Sequence, residues 1–87
     1  MQLSPFGDNV ARMEIDEAAV AAATSRNIKL GLLDKNLSRN ALAIRAGIPS
    51  TTFTRKLNCP ADFTLRELGQ VARALDIKLA DIIKDAA

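Results

Sequence analysis

Ser38-Arg39-Asn40-Ala41-Leu42-Ala43-Ile44-Arg45-Ala46-Gly47-Ile48-Pro49-Ser50-Thr51-Thr52-Phe53-Thr54-Arg55-Lys56-Leu57 carries apolar residues at Leu42, Ala46, Ile48, Phe53 and Leu57, with a single glycine between two amphipathic runs. That pattern predicts two short helices joined by a tight turn. Ser38 can cap the first helix by accepting from an unpaired backbone N–H, and Ala43 is small enough for a second helix to cross close above it. Gly47 supplies the positive φ at which a helix can end abruptly without a side-chain clash. Pro49, whose fixed φ suits a first helical position, opens the second helix, and Ser50, Thr51 and Thr52 surround its first turn.

On the N-terminal side, a helix begins near Asp16, with Glu17 in its first turn against the positive end of the helix dipole, and runs to about Lys35. Ala23, Leu30, Leu33 and Leu37 form its expected core-facing row, and Asn36 is an αL cap. A second row, Val20, Ala21, Ile28 and Leu32, lies partly off that face. It is either part of a wide buried surface or a homodimer contact. Residues 1–13, with Pro5, Gly7, Asp8 and Asn9 and no period, read as a flexible N-terminal arm.

On the C-terminal side, Asn58-Cys59-Pro60-Ala61-Asp62 reads as a loop. Thr64-Leu65-Arg66-Glu67 is a capping-box sequence, so a fourth helix starts at Leu65, with Leu65, Leu68, Val71, Ala72 and Leu75 on its apolar face. Leu79, Ile82 and Ile83 make a short last helix that closes the core or projects toward a partner. The expectation is an all-α, compact five-helix bundle with helices at about 16–35, 38–46, 50–57, 65–75 and 79–85, forming one domain over residues 14–87.

These residues resemble the helix-turn-helix of the Cro and phage-repressor (XRE-like) family, most specifically at Leu42-Ala43, Ala46-Gly47-Ile48 and Phe53, with Thr64-Leu65-Arg66-Glu67-Leu68 and Ala72-Arg73-Ala74-Leu75 similar to its fourth helix. The resemblance covers about Leu30 to Ile83. It implies a lambda-repressor-like fold whose second motif helix enters the DNA major groove. The sequence departs from the family at Lys56, where an apolar residue is usual and where Leu57 is the apolar neighbour.

Composition narrows the alternatives. The 87-residue chain has no His, Trp or Tyr and a single cysteine, Cys59. Histidine-based acid/base or metal chemistry is excluded, and no constellation for catalysis and no cofactor or metal site is expected. No apolar run approaches the roughly 20 residues of a membrane span, and no secretion signal is evident, so the expected place is the cytoplasm or nucleoid of a bacterial host. Net charge is +2, but residues 18–75 hold nine basic and three acidic side chains, net +6, whereas residues 1–17 are net −3. The motif lies in the basic part, which supports a polyanionic partner.

With Phe53 and Leu57 turned inward, the opposite face of the second motif helix presents Thr51 and Arg55, flanked by Ser50, Thr54 and Asn58. Arginine can take guanine O6 and N7 with two parallel bonds, and Ser and Thr hydroxyls can read either kind of base edge. Ser50, Thr51, Thr54 and Arg55 are therefore the candidate base contacts. Ser38, Arg39, Thr52, Lys56 and Asn58 are the candidate phosphate contacts, Arg39 standing where the family commonly places a backbone-touching glutamine. The implied activity is that of a dimeric, sequence-specific regulator of transcription at a double-stranded operator, with no small-molecule substrate. An antitoxin or protein-interaction module using the same fold is the alternative.

Overall fold

Three of the helices end in the same way, and each ending fixes where the chain turns back. In the computed structural model, which describes residues 16–84, α1 spans Glu17–Lys35, α2 Arg39–Ala46, α3 Ser50–Asn58, a single 3-10 turn Pro60–Asp62, α4 Leu65–Leu75 and α5 Leu79–Ile83. Asn36, Gly47 and Asp76 follow α1, α2 and α4 with φ of 55°, 73° and 58°. The next residue then donates its N–H five residues back: Leu37 to the Leu32 carbonyl at 2.9 Å, Ile48 to Ala43 at 2.9 Å and Ile77 to Ala72 at 3.0 Å. This is the Schellman ending, in which an αL residue satisfies carbonyls that the helix leaves open and an apolar residue after it seals the turn. Ile48 is buried, and Leu37 and Ile77 pack against the core.

Helix starts are equally explicit. Asp16 accepts from the Ala18 N–H and Ser38 from the Ala41 N–H, both at 3.0 Å. Thr64 and Glu67 form the reciprocal capping box expected of them. Pro49, expected at the first helical position, instead precedes α3 with ψ 137°, its carbonyl accepting the Phe53 N–H at 2.8 Å. An extended ψ aims that carbonyl along the new helix axis, which makes proline the cap residue.

The core gathers Ile28 and Leu32 from α1, Leu42, Ala43 and Ala46 from α2, Phe53 and Leu57 from α3, Val71, Ala72 and Leu75 from α4, and Ile82 from α5, closed by Ile48 and Phe63. α2 packs on α3 and α4, while α1 lies against α5 and the 3-10 turn. Among the described residues there is no strand. The arm expected over residues 1–13 lies outside the described residues.

The rotation of α1 differs from expectation. Leu30 and Leu33 are 55% and 78% exposed, whereas Ile28 and Leu32, assigned to the outer row, are buried. Nearly every face of this alanine-rich helix is apolar, so hydrophobicity alone does not choose one. Polar bonds and steric fit choose it. Ser25 donates to the Leu57 carbonyl at 2.9 Å, and Asn27 donates through Nδ2 to the carbonyls of Ile82 at 2.8 Å and Lys84 at 2.9 Å. Gly31 lets α1 close onto α4, since a Cβ there would stand 2.9 Å from a Leu75 methyl carbon.

Three smaller corrections follow from geometry. Leu65, expected on the apolar face of α4, is 73% exposed because it is the first residue of the helix, a turn before the core contacts begin. The segment expected as a loop contains the last residue of α3 and the 3-10 turn. α5 ends at Ile83, short of the expected 85.

Two outcomes test these restraints. Asn27→Ala removes the side-chain donor to the Ile82 carbonyl and leaves the Lys84 carbonyl only the longer bond from Arg26 Nη2 at 3.5 Å, and should cost about 1–3 kcal/mol in chemical denaturation, with faster amide exchange in α5 than elsewhere. Gly47→Ala should cost about 1–2 kcal/mol from backbone conformation alone, because an added Cβ there meets nothing within 4 Å.

Candidate nucleic-acid interface

α3 is held from one side. Phe53 and Leu57 are buried, and the Phe53 ring packs on Phe63 with centroids 6.1 Å apart. On the flank of this buried side, Lys56 also turns inward: its side chain is only 12% exposed, and its ammonium lies 2.6 Å and 2.7 Å from the two carboxylate oxygens of Glu67. The same carboxylate accepts the Thr64 N–H at 2.9 Å. One acid thus caps α4 and pins the inner side of α3. The Lys56 ammonium, and after it the Thr64 backbone N–H, hold the Glu67 carboxyl below its ordinary range.

The opposite side of α3 is open and polar. Thr51, Arg55 and Asn58 are exposed, Ser50 and Thr54 half-buried, and all five line one shallow depression on the surface. Thr52 sits half-buried on its flank. The residues expected to read bases are therefore neighbours on a single face. Spacings of four and three residues from Thr51 to Arg55 to Asn58 align them along one side of the helix.

Two members of this face have partners that the sequence reading did not reach. Ser50 Oγ donates to Asn40 Oδ1 on α2, which uses its hydrogen and leaves its oxygen as an acceptor. Arg55 Nη1 stands 3.6 Å from Asp62 Oδ2, the two side chains 60% and 58% exposed. No periodicity relates Arg55 to Asp62 because a proline turn lies between them. Only the folded path of that turn brings them together.

The candidate phosphate residues divide. Ser38 and Arg39 lie exposed at the start of α2, the Ser38 hydroxyl oxygen occupied by capping. Lys56, expected at a phosphate, has its ammonium paired with the Glu67 carboxylate in this structure. A lysine stem can lie along apolar surface while its head reaches an acid, which allows a lysine at a position where the family places an apolar residue.

Residues 27–87 match the Cro/C1-type HTH DNA-binding domain, and the chain belongs to this family. No curated protein and no solved structure matches it. Membership makes the chain a DNA-binding transcription regulator in class, a class that is typically non-enzymatic. Among the described residues no helix is long and apolar enough to cross a membrane.

The depressed Glu67 pKa has a definite sign. Stability contributed by this carboxylate is complete above its unfolded value, about 4.3, and is lost as pH falls through the lower folded value. Glu67→Gln should lower stability by roughly 1–3 kcal/mol at pH 7 and flatten the decline below about pH 4, read from urea midpoints across pH. An unchanged acid slope would contradict the pairing.

Proposed function

We propose that the protein is a sequence-specific regulator that binds double-stranded DNA through α3, as a phage or prophage repressor or Cro-like switch acting as a homodimer on a partly palindromic operator. The observation that carries this reading is the single exposed face formed by Ser50, Thr51, Thr54, Arg55 and Asn58 on the second helix of a Cro/C1-type motif. Its place of action would be the cytoplasm or nucleoid of a bacterial host.

Arg55 is the principal base reader, offering two parallel donors to guanine, with Thr51 and Thr54 as further readers and Ser50 as an acceptor. Arg39, Ser38, Thr52 and Asn58 take phosphates on either side, which sets the register of α3 without carrying sequence information. Occupancy of the operator is the mechanism: the bound protein excludes polymerase or a competing regulator. One α3 reads few bases, so two copies on half-sites roughly 34 Å apart supply the specificity.

Exposed Leu30 and Leu33 on α1 and Ile44 on α2 favour a protein contact in addition to DNA. A homodimer is the first candidate, and an antitoxin-like complex with another protein is the second reading.

Selection of sites from a random duplex pool tests the assignment. Arg55→Ala should relax preference at one base position in each half-site, a loss of roughly 1–3 kcal/mol per contact, whereas Arg39→Ala, removing one charge from each protomer, should weaken all sites about equally and lower the salt slope by about two. With Arg39 of each protomer as the charged phosphate contact, wild-type affinity should fall on the order of tenfold between 50 and 200 mM salt. Equal, sequence-blind losses for both variants would overturn the assignment.

A further inference from the structure

The Arg55–Asp62 pair is an acid placed beside the one arginine of the reading face, on a surface where an unpaired carboxylate would oppose DNA. Asp62 ends the 3-10 turn that follows α3, and its Oδ2 stands 3.6 Å from Arg55 Nη1. As a contribution to folding, such a pair is worth little, because both groups are solvated and water screens their attraction. Its consequence lies in geometry. A guanidinium has five N–H donors in a rigid fork, so a carboxylate beside one nitrogen leaves donors on the rest of the fork for a base edge.

We propose that Asp62 is a specificity-determining positioning residue: it holds the Arg55 guanidinium over the reading face before DNA arrives and turns its remaining donors toward a guanine. The inference rests on the DNA-reading role of Arg55 argued above. Two effects of opposite sign follow. Pre-orienting a long side chain reduces the entropy lost on forming the base contact, which strengthens the correct site. The negative charge of Asp62 meanwhile repels phosphates, which weakens binding. Only the first raises the ratio of specific to non-specific affinity, because the repulsion acts on every duplex alike. Freed from Asp62, Arg55 would instead swing to the nearest phosphate on any sequence.

The test compares affinity for the best selected duplex with affinity for a scrambled duplex of equal length, at one salt concentration, for wild type, Asp62→Asn, Arg55→Ala and the double variant. Asp62→Asn should lower the ratio about three- to tenfold, with binding to the scrambled duplex equal to or tighter than wild type. In the Arg55→Ala background the same change should leave the ratio unmoved, because its effect passes through Arg55. Equal loss on both duplexes, or a ratio that is unchanged or shifts equally in both backgrounds, would overturn the proposal while leaving the DNA-binding reading intact. A wild-type protein that binds all duplexes alike would remove that reading and the proposal with it.

Discussion

The rotation of α3 about its own axis is the constraint on which the rest of this molecule depends. Phe53, Lys56 and Leu57 occupy one side of the helix at spacings of three and four residues, and all three turn inward. Two are buried apolar anchors, and the third is a lysine closed onto Glu67. Helical geometry then leaves no freedom for the other side: Thr51, Arg55 and Asn58 must face out. A shift of one residue, about 100° of rotation, would bury Arg55 or expose Phe53, and either would cost several kcal/mol.

Glu67 ties this rotation to the rest of the fold. The acid that completes the capping box of α4 also binds Lys56, so the start of α4 and the inner side of α3 share one carboxylate. α1 braces the far end of α3 through the Ser25 bond to the Leu57 carbonyl, one of the groups a helix terminus leaves open. The reading face is thus supported from behind by two different helices, both acting on the last turn of α3.

Features encoded within a few consecutive residues were legible in the sequence. Ser38, Gly47, Asn36 and the Thr64–Glu67 box were readable because capping depends on local backbone geometry, and the five helices lie within two residues of where those signals put them. The exposed face of α3 was legible too, since Phe53 and Leu57 sit one turn apart in an otherwise polar helix. The orientation of α1 was not, because a helix apolar on most sides has no preferred face until Gly31, Ser25 and Asn27 find their partners on other elements. The partner of Lys56 was hidden for a related reason: a charged residue reads as surface unless its acid is known, and Glu67 is eleven residues away. Asp62 was invisible as a neighbour of Arg55 for want of any period across Pro60.

Mapping the bound surface by NMR chemical-shift changes, on adding an operator duplex from site selection, tests the orientation of α3 most directly. The changes should concentrate at residues 38–40 and 50–58, with the Arg55 side-chain N–H signals among the largest and the buried α1–α5 contact nearly still. Changes centred on Leu30, Leu33 and α5, with Thr51 and Arg55 unmoved, would contradict it.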